Sequence, residues 1–415
     1  MFSYEEGGFV RDDFPFFSQG VHLHKPLVYL DSAATTQKPQ SVIDRMMQFY
    51  LYEYGTVHRA VYNLAANATD CYCLVREQVR AFIGAALAEE VIFTSGTTDS
   101  INLVAKSFGH AFLKAGDEIL ISYAEHHANI VPWQMLAEEK QLILKVAKVT
   151  PLGELDLESF KSLLNEKTKL VSLAYMTNTT GEIYPVKELI ALAHEKGAKV
   201  FLDAAQAASH IAISVKELDV DFLAFSAHKM YGPTGVGVLY GKKQLLEKMP
   251  PHKGGGDMIT KVTFDKTTYQ EPPLRFEAGT PMIAEVIGLG AAIEYIQTLG
   301  LDKIKAFEAK LLQEALSQMQ AIAEIRFIGE PKNKGPLITF VVKGLHALDV
   351  GTLLNVKGVA LRTGTLCAQP ILEYFGVSSA LRISFGVYNT LEDIHRFIHA
   401  LKETILLLKP EMTSY

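Results

Sequence analysis

Two residues at the ends of apolar runs carry the chemistry most legible in this chain. Lys199–Gln206 reads KVFLDAAQ, a strand-like run that ends in the carboxylate of Asp203, with Gln206 three residues later. Asp221–Gly235 reads DFLAFSAHKMYGPTG, a second run that ends in Ser226, His228 and Lys229 before a Gly/Pro turn. In open α/β sheets ligands bind at the carboxyl ends of strands. Taken alone, Asp203 reads first as a cap for the segment after it, and Lys229 as a solvated loop lysine. Taken together, 26 positions apart, they suit one kind of chemistry, in which the acid keeps a pyridine nitrogen protonated and the lysine forms a Schiff base. That is the pair a pyridoxal phosphate (PLP) site needs.

Several other residues fit around such a pair. Thr94-Ser95-Gly96-Thr97-Thr98 lies between a strand-like run and a helical pattern. Backbone N–H groups, hydroxyls and a helix N-terminus make an anion cradle there, although Thr is also a common N-cap. Ser226 and His228 stand beside Lys229 as further phosphate donors. Gly232, Gly235 and Gly237 precede a strand rather than join a strand to a helix, the wrong context for a dinucleotide fingerprint. His126 and His127 could ligate a metal, but no partner at ligand spacing follows. An imidazole stacked on a pyridine face, also able to move protons, is the better reading for that pair. Asn178, after another strand-like run, can donate to a phenolic oxygen on the ring.

Cys367 lies in a loop punctuated by Gly364 and Pro370, five residues after Arg362. A thiol near a cation in a loop has the setting of a reactive thiolate; a buried structural cysteine is the other reading. Arg382 can clamp a carboxylate bidentately. Cys71 and Cys73, two apart on a helical pattern, point about 200° apart, so they read as small apolar side chains and not as a metal clip.

These side chains need a scaffold. From about residue 27 to 290, short β-type runs (90–94, 118–122, 142–146, 169–175, 199–202, 221–225 and 236–240) alternate with helical patterns at 97–113, 131–140, 157–164 and 186–196. Such alternation predicts an α/β fold with a mainly parallel, seven-stranded sheet covered on both faces. A helical stretch at 291–323, interrupted at 299–301, then shorter strands and a closing helix at 391–408 predict a smaller α+β unit. The expected division is a large PLP-binding domain over 24–290 and a small domain from 1–23 and 291–415. Residues 250–281, rich in Gly and Pro, join them, and so long an irregular stretch is usually functional.

The bulk properties exclude other classes. With 415 residues, 48% hydrophobic, the chain can bury a large core without disulfides or metals. A net charge of −6 and no Lys/Arg-rich run speak against nucleic acid. No run reaches 18 apolar residues, so no membrane span is expected. The acidic start MFSYEEGGFVRDDF is unlike a secretory signal, so the cytoplasm is the expected location.

The long motifs AEHHANIVPWQML (124–136), FSAHKMYGPTGVGVLYG (225–241), RFEAGTP (275–281) and RTGTLCAQP (362–370) resemble those of SufS-type (group II) cysteine desulfurases in the class V aminotransferase-like PLP family. The resemblance runs from about Phe14 to Leu408. It implies PLP-dependent transferase fold type I and conversion of L-cysteine to L-alanine, supplying sulfur for Fe–S cluster assembly. It also implies a role for each position. Lys229 carries the cofactor and acts in catalysis, Asp203 pairs with its ring nitrogen, and Gln206 and Asn178 partner its ring oxygen. His126 is the stacking imidazole, and Thr97, Thr98, Ser226 and His228 hold the phosphate. Thr280 reaches that phosphate across a homodimer. Arg382, helped by Arg362 and Asn178, takes the substrate carboxylate, and His58 lines the same pocket in a Val57-His58-Arg59 pattern. Cys367 is the persulfide-forming nucleophile, and its sulfur passes to an acceptor of the SufE or SufU type. The chain departs from the family at Thr365-Leu366, where two His often precede the cysteine, and at Ser95, where an Arg is common. Selenocysteine lyase or cysteine sulfinate desulfinase activity on L-selenocysteine or the sulfinate, and an aminotransferase of the same fold, are the alternatives.

Overall fold

The computed structural model describes residues 10–409 except 20, 23, 24 and 59. Residues 1–9, expected on the small domain, and Arg59 of the Val57-His58-Arg59 pattern lie outside the described residues.

Seven strands form the central sheet: β1 (Val91–Thr94), β2 (Glu118–Ser122), β3 (Ile143–Ala147), β4 (Thr168–Ala174), β5 (Lys199–Asp203), β6 (Phe222–Ser226) and β7 (Gly237–Gly241). Their spatial order is β1-β7-β6-β5-β4-β2-β3. All run parallel except β7, which is antiparallel to both β1 and β6. Neighbouring residues alternate between two cores, which accounts for the near-continuous apolar runs. Phe93, Leu120, Leu202, Leu223 and Phe225 enter one core, while Ile92, Ile119, Phe201, Phe222 and Leu239 enter the other. Each such side chain contributes about 1.5–3 kcal/mol on full burial.

Register then places the chemistry. Asp203, the last residue of β5, pairs with Ala224 of β6, so Ser226 and Lys229 emerge at the same sheet edge. Gly237, the first residue of β7, pairs with both Thr94 and Ser226 and so brings the Thr94–Thr98 turn beside β6. A Cβ on Gly237 would lie 2.5 Å from Gly96 Cα, an approach only glycine permits.

A second, antiparallel sheet contains β8 (Ile325–Phe327), β9 (Leu337–Val342), β10 (Arg362–Gly364) and β11 (Ala380–Ser384) in the order β8-β9-β11-β10. Arg362 and Arg382 are directly opposite each other across β10 and β11. The N-terminal segment ties onto this part: Arg11 pairs with Asp393 at 2.8 Å, and Asp31 bridges to Ser384.

The helix expected from 291 instead begins at Ile283 and runs to Leu299. Gly288 and Gly290, which weaken a helical pattern on paper, are demanded by packing. A Cβ on either would come within 2.7 Å of a neighbouring side chain, Met46 for Gly288 and Gln78 or Val75 for Gly290. The segment 250–281 contains an antiparallel ribbon, Ile259–Val262 with Thr267–Tyr269, and a short helical turn at Leu274–Phe276. No helix among the described residues is long and apolar enough to cross a membrane.

Candidate active site

A cavity of about 420 Å³ opens at the carboxyl edge of the central sheet, facing the second sheet. Twelve of the expected site residues line it: Thr97, Thr98, His126, Asn178, Asp203, Gln206, Ser226, His228, Lys229, Arg362, Cys367 and Arg382.

At the cavity floor Asp203 is buried, and its Oδ1 accepts from Ala205 N–H at 2.9 Å. Burial pushes this carboxyl up, opposed by the Ala205 N–H and by Lys229. Burial likewise lowers the Lys229 ammonium, against the attraction of Asp203, so the amine is more readily neutral than a surface lysine. The His228 carbonyl just before Lys229 is fixed by Thr36 N–H at 2.9 Å, the Thr35 and Thr36 hydroxyls at 3.1 Å, and Lys38 Nζ at 3.2 Å. Gln206 Nε2 donates to Ala33 O at 2.7 Å.

The turn expected as an anion cradle packs against the end of β6. Gly96, at φ +150°, precedes the helix Thr97–Phe112, and Ser226 Oγ lies 2.8 Å from both the Thr97 N–H and the Thr97 hydroxyl. His228 is lowered to about 4 by burial and by Lys229 and Lys38, so it is neutral at physiological pH. His126 is lowered to about 3 by burial, Lys229, His127 and Arg382. Its Nδ1 accepts from Ala128 N–H at 3.0 Å, which leaves Nε2–H as the donor. A neutral ring suits stacking; it does not supply a standing imidazolium acid.

Opposite the lysine, Arg382 is buried and its Nη1 donates to Asn178 O at 2.8 Å. Asp31 lies between the two arginines, 2.8 Å from Arg362 Nη2 and 3.6 Å from Arg382 Nη2. The Asn178 amide donates through Nδ2 to Leu366 O at 2.7 Å, while its Oδ1 and Arg382 Nε are buried without a protein partner.

The Cys367 thiol is exposed, which removes the structural-cysteine reading. Leu366 and Cys367 are both left-handed, at φ +55° and +52°, a conformation costing about 1–2 kcal/mol per non-glycine residue. Leu366 is buried among Ile328, Leu372 and Ala380, so the departure from a His pair supplies an apolar anchor beneath the loop.

Residues 28–397 match the class-V aminotransferase family. A cysteine desulfurase of Synechococcus elongatus is 49% identical over 95% of this chain, which spans 63% of that protein's length. A cysteine desulfurase of Dickeya dadantii is 48% identical over 96% of this chain and 97% of its own. The crystal structure of the Escherichia coli cysteine desulfurase CsdA, in its S-sulfonic acid form, superposes with a TM-score of 0.89 at 38% identity, covering 96% of this chain and 98% of that one.

The chain belongs to the class-V aminotransferase family. The fold is that of its PLP-dependent members, and PLP is the family's cofactor. The cavity suits such a group: a buried acid and a desolvated lysine stand at one edge, an anion cradle lies beside them, and two buried polar atoms lack partners.

Two expected residues stay outside the cavity of their own chain. Thr280 is exposed. His58, at φ +76°, donates its N–H to Thr69 Oγ1 at 2.9 Å and stands edge-on to Tyr72. Three neighbours of the cavity residues have no role of their own in the sequence reading. Asp31 lies two residues past the short strand Val28–Tyr29, and an apolar run leading to an acid is the signal that could have marked it. Glu125 is fully buried and pushed up to about 7 by burial. It accepts from Ser122 Oγ, Asn129 Nδ2 and Ala174 N–H, and so braces the turn that presents His126. His127, read only as half of a pair, contacts the Cys367 loop, and no spacing rule marks that.

Proposed function

We propose that this chain is a PLP-dependent cysteine desulfurase in which Cys367 takes the sulfur from L-cysteine. The observation that carries the reading is a single cavity lined by Lys229, Asp203, Arg382 and an exposed Cys367. Asp203 would pair with the ring nitrogen of bound PLP, Gln206 and Asn178 would partner its ring oxygen, and His126 would be the stacking imidazole. Thr97, Thr98, Ser226 and His228 hold the phosphate. PLP when bound supplies an electron sink for the substrate's Cα–H electrons.

Lys229 Nζ takes the proton from the substrate Cα. Arg382, with Arg362 and Asn178, holds the substrate carboxylate. The Cys367 thiolate attacks the substrate sulfur: an S–S bond forms, the Cβ–S bond breaks, and Cβ gains a proton. The products are alanine and a persulfide on Cys367. After one turnover, mass spectrometry is expected to find a single added sulfur on the Cys367 peptide. Sulfur on Cys71 or Cys73 would overturn the assignment.

Asp31 buttresses the carboxylate site. Removing a charge-assisted partner costs about 1.5–3 kcal/mol, and here the loss falls on the ordering of Arg362 and Arg382. Asp31→Ala is therefore expected to raise KM for L-cysteine by about tenfold, equivalent to ~1.4 kcal/mol, with kcat within about threefold. An unchanged KM would show that the arginines are held by other contacts.

The finer assignment is to the SufS-type group, acting in the cytoplasm as a homodimer and passing sulfur to a SufE- or SufU-type acceptor for Fe–S cluster assembly. Met47, Tyr50, Leu51, Tyr52, Tyr54 and Tyr62 are exposed near residues 49–63, the kind of apolar patch that marks an interface. Thr280 and His58 then complete the site of a second subunit. The large unit over 24–290 carries the cofactor, and 1–23 with 291–415 forms the small one. Selenocysteine lyase or sulfinate desulfinase activity is the second reading, favoured by the apolar Leu366 where an acid-base pair is usual. Alanine release compared across the three substrates separates them.

A further inference from the structure

The loop that carries Cys367 holds two consecutive left-handed residues, Leu366 and Cys367, after Gly364 at φ +107°. Such a conformation persists only where its surroundings over-determine it. The carbonyl of each residue accepts one bond from the cofactor-bearing side of the cavity. Leu366 O takes Asn178 Nδ2 at 2.7 Å, and Cys367 O takes the His127 N–H at 2.7 Å. His127 then returns to the loop beyond the thiol, its Nε2 accepting from Gln369 N–H at 3.0 Å. One residue thus grips the chain at two points directly after the Cys367 side chain, through a backbone donor and a ring acceptor. Its own turn is rigid: Glu125 accepts from Asn129, Ser122 and Ala174 N–H, and His126 Nδ1 accepts from Ala128 N–H.

We infer that His127 is a positioning residue for the Cys367 thiol, acting through the Gln369 bond to hold the loop so that Sγ faces the cavity. The inference rests on the reading of Cys367 as the sulfur acceptor. His127 touches neither substrate nor cofactor in this role. Its backbone bond survives any substitution, so the ring acceptor is the part that mutation removes. Nε2 must present a lone pair to an N–H, which fixes the ring as the Nδ1–H tautomer. Glutamine carries an acceptor oxygen at a similar reach, whereas alanine carries none.

The role separates two reactions in one active site. Sulfur transfer from L-cysteine needs Sγ in place. Release of alanine from cysteine sulfinate needs the thiol less, because the sulfinate leaves more readily than an unassisted thiolate. The test uses dimeric holoenzyme and compares His127→Ala, His127→Gln and Cys367→Ala. His127→Ala is expected to slow single-turnover sulfur addition to the Cys367 peptide by about tenfold, with cofactor content and sulfinate turnover within about twofold of wild type. His127→Gln is expected to recover most of that loss.

Equal losses on both substrates, or no recovery with glutamine, would reduce His127 to a structural residue. A wild-type rate of sulfur addition in His127→Ala would dismiss the clasp altogether. If Cys367→Ala itself keeps its activity on L-cysteine, the acceptor reading fails, whatever the His127 variants do. Sulfinate turnover also reports whether each variant has folded.

Discussion

Lys229→Ala is expected to lose alanine formation from L-cysteine by at least about 10²–10⁴-fold, the range spanned by a single acid–base side chain. The loss should be larger still, because the proposed role of this residue is both to anchor the cofactor and to move the α-proton. The structure supplies the reason it can do both. Lys229 follows β6 by three residues and shares its edge with Asp203 at the end of β5. Burial lowers its ammonium while Asp203 opposes that, so a neutral amine is accessible without losing the charge partner nearby. Borohydride treatment of the wild type should fix the cofactor on the peptide that contains Lys229. Label on any other lysine, or a Lys229→Ala protein with ordinary turnover, would remove Lys229 from its role.

Most of this site was legible because sheet register converts one-dimensional signals into proximity. An acid at the end of one parallel strand and a lysine just past the end of its neighbour emerge at the same sheet edge. The Gly237 pairing with Thr94 and Ser226 does the same for the anion cradle. Short apolar runs in the five-residue strands β2, β5 and β6 predicted strands covered on both faces, and alternate residues do enter two cores. What stayed hidden depends on contacts far apart in the chain. The helix from Ile283 was obscured by Gly288 and Gly290, whose reason is a close approach to residues more than 200 positions away. Asp31 and Arg362 are 331 positions apart, and Gln369 and His127 are 242 apart. No local pattern encodes those pairs.

These long-range bonds converge on the part of the cavity lined by Arg362 and Cys367. The central sheet supplies the acid, the lysine and the anion cradle. The second sheet supplies Arg362 and Arg382, opposite each other on β10 and β11. Asn178 links them: its carbonyl accepts from Arg382, and its amide donates to the Leu366 carbonyl. Arg382, proposed to receive the substrate carboxylate, is therefore linked through Asn178 to the loop that carries the thiol. Loss of Asn178 would act on both, whereas loss of His127 acts on the loop alone.

Cys367→Ala is expected to lose turnover of L-cysteine on the order of 10²–10⁴-fold, comparable to the removal of one positioned reacting group, while retaining much of its turnover of cysteine sulfinate or L-selenocysteine. A cysteine thiol leaves poorly as an unassisted anion, so its Cβ–S bond breaks when a nucleophile takes the sulfur. The exposed Cys367 lines the cavity that also holds Lys229, and neither Thr365 nor Leu366 offers an acid–base group to replace it. Leu366 is buried and Thr365 accepts from Ala368 N–H through its carbonyl, so both serve the loop's shape. Wild-type turnover on free cysteine should then be slow until an acceptor protein or strong reductant removes the persulfide, because a loop this short cannot carry sulfur far from the cavity. Adding a thiol reductant should raise the steady-state rate of the wild type and leave Cys367→Ala unchanged. Full L-cysteine turnover in Cys367→Ala would instead favour an aminotransferase-like or lyase reaction in which the thiol is a bystander.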